Sequence, residues 1–93
     1  MDFRIRQLQC FLTLSDLLNY GKTARALYMS QPAITFQIKS LEEAFGVKLF
    51  ERDRQQVRLT DAGRELLEAL SKTHRDELRR FRAEMFDVLR ELD

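Results

Sequence analysis

Three stretches predict a mainly α-helical fold: a helix-turn-helix of three helices, a small β-hairpin beside it, and a long final helix. Residues 30–45 read as a capped amphipathic helix with another short helix just before it. Residues 47–59 read as a hairpin. From Thr60 onward apolar residues recur at alternating spacings of four and three.

The first helix is expected from about Arg4 to Leu18, with Ile5, Leu8, Phe11, Leu12 and Leu18 as its buried stripe and Ser15 in register. Arg4 and Arg6 lie at its N-terminus, where the helix dipole slightly disfavours cations. Two readings stay open for them: solvated arginines, or contacts to a phosphate. Asn19-Tyr20-Gly21 reads as a turn. A second helix is expected from about Lys22 to Met29, facing inward with Ala24 and Leu27; Ala24 and Ala26 are small enough for close helix packing. Only Met29-Ser30 separates it from the third, which is the spacing of a helix-turn-helix.

The third helix has a marked start. The Ser30 hydroxyl can accept from an amide two or three residues on, and Pro32 falls in the first turn, where a missing N–H costs nothing. Ile34, Ile38, Leu41 and Phe45 form one apolar stripe. The opposite face carries Pro32, Thr35, Phe36 and Lys39. A phenylalanine there is unusual, because large apolar side chains normally seek burial. Acidic residues come only at Glu42 and Glu43, so the N-terminal half is free of negative charge. That polarity suits a recognition helix that points its N-terminal end at DNA.

Gly46 is expected to close this helix in the left-handed conformation. Val57 and Leu59 alternate with Arg58 as a half-buried strand does, and the hairpin tip is rich in Arg and Gln. A hairpin in this place is a wing, and a basic wing commonly lies against phosphates or a minor groove. Thr60 caps the final helix and Asp61 suits its dipole. Nothing but Gly63 is expected to interrupt it, giving a rod of roughly 45 Å at 1.5 Å per residue. No helix of that length is expected to bury itself against so small a body. Leu67, Ser71, His74, Leu78, Phe81, Met85, Val88 and Leu92 then form a coiled-coil seam, diluted by Ser71 and His74, which implies a homodimer. Leu66 and Leu70, beside the seam, are expected to pack on the body.

Composition narrows the function. The chain is 44% hydrophobic and 33% charged, which fits a soluble helical domain rather than a disordered segment. The net charge is +1, but residues 1–59 hold nine Lys/Arg against six Asp/Glu and residues 60–93 hold seven against nine. A nucleic-acid binder needs a local basic surface, not a basic total. The single Cys10, beside Phe11 and Leu12, excludes a disulfide framework or a cysteine metal cluster and reads as core filler. No apolar run is long enough to span a membrane and no signal peptide is evident, so a cytoplasmic protein is expected. One His, one Cys and no glycine-rich phosphate loop leave no catalytic constellation; neither an enzyme nor a cofactor or metal site is expected. His74 reads as a seam or surface residue, since no other ligand type converges with it.

Several rare clusters coincide in order and without a gap. They are Ala24-x-x-Leu27-x-x-Ser30-Gln31-Pro32-Ala33-Ile34-Thr35, Gln37-Ile38-x-x-Leu41-Glu42, Gly46-Val47-x-Leu49-Phe50-x-Arg52 and Leu59-Thr60-x-Ala62-Gly63. Over about residues 5 to 65 the chain resembles the N-terminal domain of LysR-type bacterial transcription regulators. The resemblance implies a winged helix-turn-helix over 1–59 and a linker helix over 60–93 that pairs two protomers. It leaves room for a tetramer in a full-length protein. It further implies a C-terminal effector-binding domain that has no counterpart here, as in an excised DNA-binding fragment or a regulator without its sensor. A small-molecule effector would act only through that domain.

The resemblance also assigns residues. Gln31, Pro32 and Thr35 match base-reading positions. Gln31 can pair with an adenine edge and Pro32 can pack on a thymine methyl. Arg6, Lys22 and Thr23 match positions near phosphates. Ser30, Lys39, Arg52 and Arg54 complete the expected backbone and wing contacts. Phe36 stands where many members carry Arg; it is expected either to touch thymine methyls or sugar carbons, or to pack locally on the wing or first helix. Gln55 and Gln56 replace wing-tip arginines, so a minor-groove contact passes to Arg54 or weakens. Gly21 replaces a small polar residue, which costs one phosphate contact. The expected partner is a double-stranded, inverted-repeat operator. The alternative is a dimerising protein–protein module with a co-opted helix-turn-helix, which Phe36 and the modest charge would suit.

Overall fold

The computed structural model describes residues 5–54 and 56–92, the last by its backbone. Its order is α1 (Ile5–Leu17), α2 (Tyr20–Ala26), α3 (Gln31–Phe45), β1 (Phe50–Asp53), β2 (Gln56–Leu59), α4 (Asp61–Thr73) and α5 (Arg75–Leu92). This is a winged helix-turn-helix followed by two helices.

α1 is the centre of the body, with α2 and α3 packed on it. Cys10 through Ser15 are all buried, so the middle of α1 is enclosed on every side rather than along one stripe. The expected ends of that stripe are not covered: Ile5 and Leu18 are exposed, and Leu18 leaves the helix at a φ of 50°. The expected first residue, Arg4, lies outside the described residues.

Asn19 is no turn residue but the N-cap of α2. Its side chain accepts the Lys22 N–H at 2.8 Å, and Tyr20 and Gly21 already belong to the helix. The chain turns later, at Leu27 and Tyr28, where Tyr28 has φ 54°. Ala24, Ala26 and Leu27 face inward.

α3 starts as expected. The Ser30 hydroxyl accepts the Ala33 N–H at 3.2 Å, Pro32 sits in the first turn, and Ile34, Ile38 and Leu41 are buried. Phe45, expected to continue this stripe, is exposed at the helix end. Gly46 then takes φ 71° and ψ 21°, a conformation that costs glycine little. The two strands pair antiparallel from Phe50↔Leu59 to Asp53↔Gln56. Phe50 anchors the wing, its ring centroid 5.6 Å from that of Phe11.

Thr60 caps α4 by accepting the Gly63 N–H at 3.0 Å, and its hydroxyl donates to the Lys48 carbonyl at 2.6 Å. Gly63 does not interrupt the helix. It is small because a Cβ there would lie 2.3 Å from the Leu49 carbonyl oxygen.

The expected single rod is two helices. The break is at His74 (φ −129°, ψ 45°), and α5 turns back onto α2 and α4. Leu78 enters the core, and Leu67, Phe81 and Met85 pack against it half-buried, as do Leu66 and Leu70. A spacing of four and three marks an apolar helix face; it does not say whether a second chain or the same chain covers that face. Ser71 and Thr73 each donate to the carbonyl four residues back, a bond that tends to bend helices, in the turn before the break. Arg82 of α5 donates to Asp16 of α1 at 3.1 Å and ties the fold-back to the body. No helix among the described residues is long and apolar enough to cross a membrane.

Candidate nucleic-acid interface

The residues singled out on α3 share its outer face. Gln31, Pro32, Phe36 and Lys39 are exposed and Thr35 is half-buried. Burial of Ile34, Ile38 and Leu41 on the other side fixes this orientation. Phe36 is 67% exposed, so it packs on neither α1 nor the wing. Local packing is thereby set aside, and an uncovered aromatic remains on the recognition face. Tyr28, 76% exposed in the turn before α3, is a second such aromatic. Composition alone did not single it out, since a tyrosine at a helix end is commonly half-covered.

Of the expected backbone contacts, Lys22 and Ser30 are exposed at the N-termini of α2 and α3. Both stand at the positive end of a helix dipole, which favours an anion. Arg6 is exposed on the first turn of α1, 3.4 Å from Gln9 Oε1. Thr23 is a correction: it is fully buried, and its hydroxyl donates inward to the Asn19 carbonyl at 2.7 Å. A side chain so enclosed meets no phosphate.

In the wing, Arg58 lies 3.7 Å from both Glu51 and Asp53 and is neutralised there. Arg54 is exposed at the tip with φ 48° and no ion pair among the described residues. Gln55 lies outside the described residues, and Gln56 pairs in β2. Arg52 turns back toward the helices: its guanidinium carbon stands 4.9 Å from the Tyr20 ring centroid. Tyr20, Thr35, Lys39 and Arg52 line one open cleft of about 420 Å³ between α3 and the wing. Partial burial raises the Tyr20 hydroxyl pKa above its ordinary value, the nearby Glu42 raises it further, and Arg52 acts in the opposite sense. Glu42 itself holds the junction of α3 and wing, accepting the N–H groups of Leu49 at 2.8 Å and Phe50 at 3.3 Å.

Two remaining candidates are elsewhere. Cys10 is buried with its Sγ 3.8 Å from Met29 Sδ, and burial pushes its thiol pKa up to about 11 despite the opposing charge of Arg6. His74 is exposed at the break, and among the described residues no group of three His, Cys, Asp or Glu is placed to hold a metal.

Residues 5–64 match the family model described as bacterial regulatory helix-turn-helix protein, lysR family. The chain belongs to the LysR family. Among its relatives, the HTH-type transcriptional regulator CitR of Bacillus subtilis is 46% identical over 67 residues, 72% of this chain and 22% of CitR. The HTH-type transcriptional regulator HdfR of Salmonella newport is 47% identical over 60 residues, 64% of this chain and 22% of HdfR. This LysR-family chain thus spans about a fifth of the length of the curated relatives it matches. A LysR-family regulator from Eggerthella lenta superposes with a TM-score of 0.71 at 38% identity, over 74% of this chain and 99% of that one. The DNA-binding domain of CbnR, solved as a complex with DNA, superposes with a TM-score of 0.69 at 35% identity, over 87% of this chain and 98% of that one. The family match ends at Arg64, inside the first turn of α4, so the fold-back of α5 lies outside it.

Proposed function

We propose that this chain binds double-stranded DNA sequence-specifically as part of a bacterial transcription regulator acting in the cytoplasm. The observation that carries the reading is the outer face of α3. It presents Gln31, Pro32, Thr35, Phe36 and Lys39 without an acidic residue, beside a wing whose Arg54 is uncommitted. In this role α3 enters the major groove. Gln31 reads an adenine edge, Pro32 and Phe36 meet thymine methyls, and Thr35 bonds to either base type. Lys22, Ser30, Lys39, Arg6 and the wing arginines hold phosphates and set the register. The DNA complex of CbnR supports this by likeness.

We further propose that two copies act together on an inverted repeat, paired through the 60–93 segment. The apolar spacing of its seam residues supports this reading, with half-sites about one helical turn or a multiple apart. Because Leu78 is already buried in its own chain, pairing uses the less covered members, Leu67, Phe81, Met85 and Val88, or draws α5 away from the body.

Selection of binding sites from random duplex DNA tests both parts. The expected product is an enriched inverted repeat, and Gln31→Ala then lowers affinity for it by about 1–3 kcal/mol while sparing random duplex. No enrichment would remove the sequence-specific reading. Binding of another protein, the competing use of an exposed Phe36, would show little dependence on salt.

A further inference from the structure

We infer that Tyr20 is a positioning residue for DNA binding, which holds the Arg52 guanidinium between the recognition helix and the wing for contact with a backbone phosphate. The inference rests on the DNA-binding reading above and adds to it a residue that carries no assigned role there.

The geometry comes from three rigid pieces. Tyr20 is the first residue of α2, held by the Asn19 cap and by the Thr23 N–H to the Asn19 carbonyl at 3.0 Å. Arg52 lies in β1 opposite Val57. Alternation along the strand puts it on the same side as Phe50, whose ring packs on Phe11. Its side chain is therefore aimed at the helices rather than away from them. The third piece is α3, where the Glu42 carboxylate fixes the start of β1 through the Leu49 and Phe50 amides. Where these pieces meet, the guanidinium lies 4.9 Å from the ring centroid.

The electrostatics favour an anion there. Arg52, Lys39 and Lys48 are cations around the cleft and Thr35 adds a hydroxyl, against the carboxylates of Glu42 and Glu51, of which Glu51 lies 3.7 Å from Arg58. Glu42 is occupied by two amides, and Lys48 stands 4.0 Å from it. Arg52 has no carboxylate partner among the ion pairs of the described residues, unlike Arg58 in the neighbouring strand. A cation held by an aromatic face keeps its charge and its N–H donors at the edge of the guanidinium plane. It thus reaches the phosphate with less side-chain freedom left to lose.

The test is a salt titration of the 93-residue chain on the selected duplex and on a random-sequence duplex, followed by fluorescence anisotropy. Arg52→Ala is expected to reduce the log–log slope by about 0.9, one phosphate contact. Tyr20→Leu is expected to reduce the slope in the same sense and weaken both duplexes about two- to fivefold, the loss of one exposed cation–π contact. The double variant is expected to bind no more weakly than Arg52→Ala alone. Tyr20→Phe, which keeps a ring, should restore the slope. Arg52→Lys keeps the charge but loses the planar stacking group, and is expected to show a reduced coupling to Tyr20 without altering α2. A Tyr20→Leu variant that melts earlier yet keeps the wild-type slope would reduce Tyr20 to a packing residue. Additive losses in the double variant would likewise overturn the inference. If wild type binds neither duplex, the DNA reading itself falls; if wild type binds and the Tyr20 variants match it, only this inference does.

Discussion

The Glu42 carboxylate accepts the backbone N–H of Leu49 at 2.8 Å, and in doing so joins the recognition helix to the wing. The same oxygen takes the Phe50 N–H at 3.3 Å. Hydrogen bonds to an ionised acceptor are the stronger kind, and removing the acceptor leaves both amides without it. Glu42→Ala is expected to lower stability by about 1–3 kcal/mol in urea denaturation and to speed amide exchange at Leu49 and Phe50. Unchanged exchange at both positions would show that the carboxylate does not hold the wing.

Arg54 lies at the exposed tip of the wing and, like Arg52, has no ion pair among the described residues. Its replacement by Ala is expected to weaken cognate and random duplexes alike and to flatten the salt slope by about 0.9. A titration with the wild-type slope would remove Arg54 from the phosphate contacts.

Gly63 permits α4 to pass against the chain before the wing. A Cβ at this position meets the Leu49 carbonyl oxygen at 2.3 Å and Leu59 Cδ2 at 2.8 Å. The first of these is backbone and cannot swing aside. Although alanine is the better helix former, Gly63→Ala should therefore destabilise by about 1–3 kcal/mol or more. A thermal midpoint at or above wild type would mean that α4 stands farther from Leu49.

Leu78 is where α5 enters the core, 8% exposed. Leu78→Ala is expected to cost the single chain about 2–5 kcal/mol. If this side chain instead serves pairing alone, the unfolding of dilute monomer will not change. The variant will then alter only the concentration dependence of the sedimentation mass.

Cys10 remains a thiol in the folded chain, because burial pushes its pKa up to about 11 from an ordinary 9.0. The sign follows from the unfolded state, whose thiol ionises first. The contribution of this group is full below pH 9.0 and is lost as the pH rises toward about 11. Iodoacetamide at about pH 8 should label Cys10 slowly in the native protein and rapidly after denaturation, since the thiolate is the nucleophile. Equal rates in the two states would contradict its burial.

Much of the body is legible in one dimension because its signals are local. Ser30 and Thr60 cap through amides three residues away, Gly46 turns left-handed where glycine is cheapest, and Ile34, Ile38 and Leu41 bury one face of one helix. The recognition face follows from these, since whatever lies opposite a buried stripe is exposed. Asn19 reads as a turn residue in the sequence because the same residue types favour turns and N-caps, and only the bond to Lys22 distinguishes the two.

By itself the sequence determined the helix-turn-helix, the hairpin after it, the outward Phe36 and the family, all of which rest on short-range spacing and on motifs in fixed order. Tertiary structure alone decided the rest. It turned Thr23 inward, set Arg52 over Tyr20, and folded α5 back at His74 so that Leu78 meets its own core and Arg82 meets Asp16. Apart from the bond of Thr23 to Asn19, these contacts join residues far apart in the chain. An apolar repeat states only that a face will be covered, and which surface covers it depends on competing burials that a linear pattern does not compare.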